Sequence, residues 1–161
     1  MPKPSVLIIC TGNSARSQMA EGFMKRYLSD EFDVFSAGLD PRPLNRFAVE
    51  AMREIGIDIS QQHSKDIRSF LGQHFTFLIT VCSDAESRCP IFPGVIYRLF
   101  WPFDDPAALQ GTDDEKRAYF RKIRDQVDSK IREWMLQYKL KGAVYSKVQT
   151  QAPAPAAAIE P

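Results

Sequence analysis

Short apolar runs alternate along the chain with segments in which apolar residues recur every three or four positions. The runs are typical of buried strands, and the spacing is typical of helices that pack against a core. Strands that are covered on both faces and joined by helices form parallel sheets. We therefore predict an α/β fold with a four-stranded parallel sheet flanked by helices on both faces. The predicted strands are Val6–Ile9, Asp33–Ala37, Phe75–Val81 and Val95–Leu99, and the predicted helices are Gln18–Leu28, Phe47–Ile55 and a long final helix that includes Tyr119 to Tyr138.

The final helix closes a single predicted domain over residues 1–140. Its start carries the spacing of a capping box, Thr112-x-x-Glu115, in which two side chains satisfy backbone N–H groups reciprocally. From about Lys141 the helical periodicity fails, and the chain becomes rich in Ala, Pro and Gln. Residues 141–161 are therefore predicted to be a disordered tail.

Composition and charge exclude several classes of protein. The 161 residues carry a formal net charge of +1, with 44% hydrophobic and 25% charged residues, which is ordinary for a globular protein and indicates no nucleic-acid partner. No apolar run approaches the ~20 residues of a membrane span, and the N-terminal run is too short for a signal peptide. We therefore expect a cytoplasmic protein without a membrane partner. His63 and His74 lack partners at zinc-ligand spacing, and no metal is expected.

A loop of small and polar residues lies between the first predicted strand and the first predicted helix. Backbone N–H groups in such a loop, together with a helix N-terminus, form a cradle for a tetrahedral oxyanion. Arg16 can add two parallel N–H donors, and the same surroundings favour the thiolate form of Cys10. Gly12 and Asn13 suit unusual backbone angles, and Ser17 is predicted to cap the helix. The predicted nucleophile is Cys10, and the predicted oxyanion-binding residues are Thr11, Gly12, Asn13, Ser14, Ala15, Arg16 and Ser17.

Two acidic residues follow the fourth predicted strand, at the same edge of the sheet as Cys10. A carboxylic acid at this position can protonate a departing oxygen. Asp105 is a better candidate than Asp104 because Pro106 fixes the backbone after it. Asp-Pro is also common in turns, so Asp105 alternatively only caps a turn. The Cys10 loop by itself is likewise compatible with an ordinary strand-to-helix turn.

Two further cysteines, Cys82 and Cys89, lie in the loop after the third predicted strand. A phosphatase needs one cysteine, whereas three thiols at one sheet edge suggest a relay. The alternative is that Cys82 and Cys89 pack as small apolar groups. If Ser83–Arg88 is helical, the two Cα atoms lie roughly 10 Å apart, beyond the roughly 4.4–6.8 Å of a disulfide. A Cys82–Cys89 bond would then require this segment to rearrange.

Several motifs together resemble the thioredoxin-coupled arsenate reductases, which share the low-molecular-weight protein tyrosine phosphatase fold. The resemblance covers residues 4 to about 138. It rests on the string Cys-Thr-Gly-Asn-Ser-x-Arg-Ser-Gln-Met-Ala-Glu-Gly at 10–22, on Ser36-Ala37-Gly38, on Cys82-Ser83-Asp84-Ala85, on Cys89-Pro90 and on Phe103-Asp104-Asp105-Pro106-Ala107.

The resemblance implies a role for each matching residue of the Cys10 loop. Cys10 would form a thiol–arsenate adduct, and Arg16 would be the main cation of the oxyanion site. Ser17 would hydrogen-bond to the Cys10 thiolate, and Asn13 would hold the loop in shape. Asp105 would be the acid for the departing oxygen.

The same resemblance implies an electron path through the other two cysteines. Cys82 would attack Cys10 and release arsenite, and Cys89 would then attack Cys82. Thioredoxin would reduce the Cys82–Cys89 disulfide, and no metal or organic cofactor takes part in such thiol–disulfide exchange. A monomer is the default for this fold.

The chain departs from the family pattern at two positions. Ala15 stands where some relatives carry another cysteine. Some relatives also hold a potassium ion near the loop. The ligands of that ion are matched here by Asn13, Glu21 and Ser36, but Lys65 stands where a carboxylate is expected.

Two other functions stay open at the level of sequence. A tyrosine phosphatase would need only Cys10, Arg16 and Asp105. Phosphatases of this fold usually have an aromatic residue directly after Asp-Pro, however, where this chain has Ala107-Ala108. A non-enzymatic redox sensor would use the thiols as a switch, and the intact acid at Asp105 argues against it.

Overall fold

The computed structural model describes residues 3–139, which form a four-stranded parallel sheet with helices against it. The strands lie in the order β2-β1-β3-β4. All three pairs of neighbours are parallel, so the predicted sheet is confirmed. The strands are β1 (Ser5–Cys10), β2 (Asp33–Gly38), β3 (Phe77–Thr80) and β4 (Tyr97–Phe100).

Four helices and two 3-10 turns join and follow these strands. The final helix begins as its capping box predicts, because Glu115 N–H donates to Thr112 Oγ1 at 3.2 Å and the Thr112 N–H donates back to Glu115 Oε1 at 3.4 Å. The helices are α1 (Arg16–Leu28), α2 (Arg46–Arg53), α3 (Ser83–Arg88) and α4 (Asp113–Lys139), and the 3-10 turns are Ile67–Phe70 and Pro106–Ala108.

Burial shows that the sheet is covered on both faces. Every residue of β3 is buried, as are the last five residues of β1, so neither face of the two central strands meets solvent. By contrast, β4 is the exposed edge of the sheet. Trp101, which follows β4, is buried against Trp134 of α4 with the ring centroids 5.8 Å apart. This contact anchors the loop that carries Asp105.

The segment after β2 is fastened to the loop after β1 by backbone hydrogen bonds. Asp40 N–H donates to Thr11 O, Arg42 N–H to Gly12 O, and Asn45 N–H to Ser14 O, each at 2.9 Å. Gly38 makes this approach possible, because a Cβ there would lie 2.8 Å from both Asn13 N and Thr11 O. The loop around Cys10 is therefore held along its length by a neighbouring segment.

The described residues contain no helix long and apolar enough to cross a membrane. The predicted tail, residues 141–161, lies outside the residues that the structure describes.

Candidate active site

Loops from the carboxyl ends of β1, β2, β3 and β4 surround one pocket of about 430 Å³. This is the edge at which the sequence predicts the site. The pocket is lined by Cys10, Thr11, Gly12, Ser14, Ala15, Arg16, Arg42, Cys82, Ser83, Asp84, Phe103, Asp104, Asp105 and Ala107. Among the predicted site residues, Asn13 and Ser17 are buried behind the loop, and Cys89 lies outside the pocket lining.

Asn13 holds the Cys10 loop together from inside. It is fully buried with φ +48°, and no other non-glycine residue among residues 3–139 has a positive φ. Its backbone N–H donates to Cys10 Sγ at 3.1 Å, and its side-chain amide donates to Ser17 Oγ at 2.8 Å and to Ser36 Oγ at 2.9 Å. The expectation of an unusual backbone angle is thus confirmed at Asn13. It is wrong at Gly12, which does not adopt a positive φ.

Ser17 contacts the nucleophile and does not cap the helix as predicted. Helix α1 begins at Arg16 with Ala15 before it and no side-chain cap, so Ser17 lies inside the first turn. Its hydroxyl oxygen lies 2.9 Å from Cys10 Sγ. Because this oxygen already accepts a hydrogen bond from Asn13, its own proton is available to the sulfur. Two donors, the Asn13 N–H and the Ser17 hydroxyl, are therefore within hydrogen-bond distance of Cys10 Sγ.

Glu21 is a buried carboxylate behind the loop, and lysines neutralise it. Ser36 Oγ donates to Glu21 Oε1 at 2.8 Å, and the ammonium of Lys65 lies 3.5 Å from the same oxygen. Lys25 Nζ lies 3.2 Å from Oε2. Burial lowers the pKa of the Lys65 ammonium, while Glu21 opposes that shift.

These residues do not fit a potassium ion, although Asn13, Glu21 and Ser36 match the ligands of some relatives. The Lys65 ammonium already faces the Glu21 oxygen that such an ion would need. The side-chain oxygen of Asn13 is also occupied, because it accepts the Lys65 N–H at 2.9 Å. Among residues 3–139, no three His, Cys, Asp or Glu side chains cluster as metal ligands.

Arg16 is held at the pocket by the loop after β4. One guanidinium nitrogen donates to Phe103 O at 3.1 Å, and another lies 3.8 Å from Asp105 Oδ2. The side chain is 11% exposed. The loop after β4 therefore holds this cation at the wall of the pocket that Cys10 also lines.

Asp105 both caps a turn and lines the pocket, which are the two positions that the sequence allowed for it. Its carboxylate accepts the Ala107 N–H at 3.0 Å and so caps the Pro106–Ala108 turn, while the side chain also lines the pocket. Asp104 lines the pocket as well. Asp105 is the one paired with Arg16, which ties the candidate acid to the candidate oxyanion ligand.

Cys82 lies in the same pocket as Cys10. It is buried, and its sulfur lies 3.4 Å from Thr11 Oγ1, in the predicted oxyanion loop. Its sulfur also accepts the Ala85 N–H at 3.4 Å, at the start of α3. A residue from the end of β3 is thus brought to the loop that follows β1.

Cys89 lies at the opposite end of α3 from Cys82. Its thiol is half-buried and contacts Pro90 O at 3.4 Å. Burial is the largest cause that raises the pKa of this thiol, with Glu86 adding to the shift and Arg98 opposing it. All three cysteines are free thiols, so the structure represents the reduced form.

An ion-pair network links α3 to the loops around it. Arg88 Nη1 donates to Asp84 Oδ2 at 2.9 Å and to Asp40 Oδ2 at 3.0 Å. Asp84 Oδ2 also accepts the Thr11 hydroxyl at 2.8 Å, and this bond is the main cause that lowers the pKa of Asp84. We call Asp40, Asp84 and Arg88 the α3 clamp.

Two features of the site were not indicated by the sequence. Arg42 lines the pocket, but it belongs to no predicted strand, helix or motif. The α3 clamp joins residues far apart in sequence, and a single exposed Asp or Arg carries no signal of its partner. A pattern could have indicated the clamp only through the i,i+4 spacing of Asp84 and Arg88.

The pocket can bind a small oxyanion and attack it with sulfur. It combines a thiol with two donors, an oriented guanidinium, a carboxyl group and a second thiol within one concave surface. Hydrolysis needs the first three of these groups. The second thiol, Cys82, adds a group that can form a disulfide bond with Cys10.

Comparisons with known proteins agree with this geometry. Residues 5–149 match the sequence profile of a family described as "Low molecular weight phosphotyrosine protein phosphatase". The arsenate reductase of Bacillus subtilis (strain 168) is 46% identical over 134 residues, which are 83% of this chain and 96% of that protein.

Two solved structures are similar in fold and sequence. An arsenate reductase in the phosphate-binding state superposes with a TM-score of 0.68 at 30% identity, covering 83% of this chain and 98% of that one. A thioredoxin-dependent arsenate reductase from Corynebacterium glutamicum superposes with a TM-score of 0.65 at 30% identity, covering 88% of this chain and 64% of that one.

Proposed function

The chain belongs to the low molecular weight phosphotyrosine protein phosphatase family, and on that basis we propose that it is an arsenate reductase with a three-cysteine relay. Arsenate is a tetrahedral oxyanion, which suits the loop from Thr11 to Ser17. In this proposal the backbone N–H groups of the loop bind its oxygens, and Arg16 donates two parallel hydrogen bonds.

The first step is attack of the Cys10 thiolate on arsenic. A sulfur–arsenic bond forms and one arsenic–oxygen bond breaks. The departing group is a hydroxyl group of arsenate, which takes the proton of the Asp105 carboxyl group and leaves as water. Ser17 Oγ, 2.9 Å from Cys10 Sγ, and the Asn13 N–H at 3.1 Å support the thiolate before the attack.

The second step is the reduction. Cys82 loses its proton and attacks the sulfur of Cys10, so that a Cys10–Cys82 disulfide forms. The sulfur–arsenic bond breaks with its electron pair on arsenic, which passes from As(V) to As(III) and leaves as arsenite. Two thiols have then supplied the two electrons.

The third step returns Cys10 to its starting state. Cys89 attacks Cys82, which releases the Cys10 thiolate and leaves a Cys82–Cys89 disulfide. Both cysteines must approach within disulfide distance, so α3 has to unwind in this step. We propose that a thioredoxin dithiol then reduces the disulfide, as the name of the Corynebacterium relative indicates for that protein.

The observation that carries the proposal is the shared pocket of Cys10 and Cys82. Both thiols line it, and Cys82 Sγ lies 3.4 Å from the hydroxyl of Thr11, directly after Cys10 in sequence. A hydrolytic enzyme has no use for the second thiol. A relay requires it at this place.

Phosphate ester hydrolysis is a second candidate activity, favoured by the cluster of Cys10, Arg16 and Asp105. Phosphate and arsenate share shape and charge. At the position after Asp-Pro, however, the pocket wall is formed by Ala107, which gives an aromatic ring nothing to stack on. We expect this activity to be weak.

The test is an assay of arsenate-dependent NADPH oxidation with thioredoxin and thioredoxin reductase, using wild type and Cys82→Ser. The proposal predicts turnover for wild type and none for the variant, since only the variant lacks the second thiol. The phosphatase would be favoured by two results together: Cys82→Ser still hydrolyses an aryl phosphate, and wild type shows no arsenate-dependent NADPH oxidation. If wild type shows neither arsenate reduction nor aryl phosphate hydrolysis, the result would favour a redox sensor.

We also propose that the enzyme acts as a monomer in the cytoplasm, where a reducing environment keeps the three thiols free. The catalytic unit in this proposal is residues 1–140, and residues 141–161 have no catalytic role in it.

A further inference from the structure

Arg42 is tied to the oxyanion loop through its backbone. It lies in the segment after β2, and its N–H donates to Gly12 O at 2.9 Å. Its carbonyl oxygen accepts the Ser64 hydroxyl, which also donates to Asn13 O at 2.7 Å. The Cα of Arg42 is therefore held in register with the loop that would bind the anion.

The side chain of Arg42 lies over Gly12 and lines the pocket. A Cβ on Gly12 would be 3.6 Å from Arg42 Cδ and 3.7 Å from Cγ. The aliphatic part of the Arg42 side chain therefore packs next to the oxyanion loop. Cys10 and Arg16 line the same pocket.

The other two arginines beside the pocket are engaged by protein groups. Arg16 is bound to Phe103 O and paired with Asp105, and Arg88 is paired with Asp40 and Asp84. Within residues 3–139, the guanidinium of Arg42 has no recorded hydrogen bond or ion pair. An unpaired guanidinium next to a predicted anion site has its donors available to a ligand.

We propose that Arg42 is a second cationic binding residue for the oxyanion, facing Arg16 across the pocket. The inference rests on the proposed function of this pocket and adds a substrate-binding residue to it. Two guanidinium groups suit a doubly charged tetrahedral anion, because each offers parallel donors to a pair of oxygens. The hydrogen bonds of Cys10 Sγ and Cys82 Sγ go to other residues, so this proposal gives Arg42 a role in binding and none in the chemical steps.

This role predicts a separation between binding and turnover. Arg42→Ala should raise the KM for arsenate roughly tenfold, because a charge-assisted hydrogen bond to the substrate is lost. This factor is at the lower end of what such a bond contributes, since the Arg42 side chain is exposed to solvent. The kcat should stay within about twofold of wild type. The KM of Arg42→Lys should lie between those of wild type and Arg42→Ala, because an ammonium keeps the positive charge but lacks the two parallel N–H donors of a guanidinium.

The decisive measurement is protection of Cys10 by inorganic phosphate against alkylation with iodoacetamide, followed at the Cys10 peptide by mass spectrometry. It requires no arsenate turnover. The matched control is Arg46→Ala, which removes an exposed arginine from the neighbouring helix α2, where it pairs with Asp113 at 3.2 Å. Circular dichroism of each variant checks that the fold is retained.

The proposal predicts that Arg42→Ala needs roughly tenfold more phosphate for half-protection, whereas Arg46→Ala behaves as wild type. Equal protection in Arg42→Ala and wild type would overturn it, as would an equal loss in both variants, which would indicate a general effect of net charge. Phosphate protection with the predicted Arg42 effect, but without arsenate reduction by wild type, would overturn only the proposed function. No protection of wild type would overturn the oxyanion site itself and this inference with it.

Discussion

Asn13 determines the environment of the nucleophile at the scale of single residues. Its side-chain amide donates one hydrogen bond to Ser17 and one to Ser36, so each hydroxyl has its own proton left to donate. The proton of Ser17 faces Cys10, and the proton of Ser36 faces Glu21. One buried amide thereby directs two hydroxyl groups, of which only the first touches the reacting sulfur.

Replacing Ser17 by Ala should slow alkylation of Cys10 at neutral pH about tenfold and reduce kcat/KM for arsenate by a similar factor, because a hydrogen bond to a charged group is lost. The rate of iodoacetamide labelling measures the first effect. Ser36→Ala is the matched control, since it removes a buried hydroxyl bound to the same amide without touching Cys10. A Ser17→Ala protein that labels as fast as wild type would refute a direct role for this hydroxyl.

The half-buried thiol of Cys89 predicts a pH dependence for the third step. Burial raises the pKa of Cys89, so at neutral pH less of it is the reactive thiolate than for an ordinary cysteine. The pH at which the rate of Cys82–Cys89 disulfide formation reaches half of its maximum should therefore lie above ~8.5, the pKa of an ordinary cysteine. Rapid acid quenching at a series of pH values measures this rate. A profile that levels off in the ordinary cysteine range would show that Cys89 becomes exposed before it loses its proton.

At the scale of elements, α3 is the part of the fold suited to unwind. It has six residues, and Ala85 alone among them is buried. Isolated helices of this length are not stable in water, so α3 depends on its contacts with the rest of the protein. The two ion pairs of Arg88 are exposed, and each contributes about 0.2–1 kcal/mol. Glu86 makes further charged contacts, a hydrogen bond from the buried Thr80 hydroxyl and an ion pair with Arg98. These few contacts are among those that the rearrangement that brings Cys82 and Cys89 together has to break.

Removing the α3 clamp should make that rearrangement easier. Arg88→Ala breaks the ion pairs with Asp40 and Asp84. We therefore expect faster hydrogen exchange in residues 83–88 and a rate of Cys82–Cys89 disulfide formation that is roughly twofold to fivefold higher. This factor is on the order of what two exposed ion pairs contribute. Hydrogen exchange with mass spectrometry and acid quenching measure the two effects. Arg46→Ala is the control, because it removes an exposed ion pair between α2 and α4, with Asp113, that includes no residue of α3. Unchanged exchange in Arg88→Ala would show that the clamp does not limit unwinding.

At the scale of the whole molecule, the parallel sheet brings distant residues to one edge. Cys10 ends β1, Cys82 follows β3, and Asp105 follows β4. The order β2-β1-β3-β4 puts β3 beside β1 and β4 beside β3, so all three residues lie at the carboxyl edge of consecutive strands in the sheet. This convergence was predictable, because buried strands joined by helices imply a parallel sheet, and ligands bind at its carboxyl edge.

Contacts between side chains were less predictable than the position of the site. Ser17 has the residue type of a helix cap, and only the backbone path through Ala15 turns it toward Cys10. Arg42 depends on how the segment after β2 pairs with the oxyanion loop, which no local pattern encodes. The ends of β3 and β4 differ from the predicted spans by one or two residues, because apolar residues also occur beyond the positions that pair in the sheet.

Binding of an oxyanion to one pocket should stabilise the whole fold. Phosphate at a hundredfold its Kd adds about 2.7 kcal/mol to the free energy of unfolding, which corresponds to a rise in Tm of roughly 5–10 °C for a domain of this size. Differential scanning fluorimetry against sodium chloride of equal ionic strength measures this shift. Arg16→Ala should lose most of it, and an equal shift in that variant would indicate binding elsewhere.

The relay itself is tested most directly by a single turnover of Cys89→Ser, reduced, freed of reductant, mixed with arsenate and quenched in acid. The account predicts about one arsenite per protein molecule, a Cys10–Cys82 disulfide in the mapped peptides and no further turnover, because the third thiol is absent. Arsenite formed without that disulfide, or continued turnover of the variant, would contradict it.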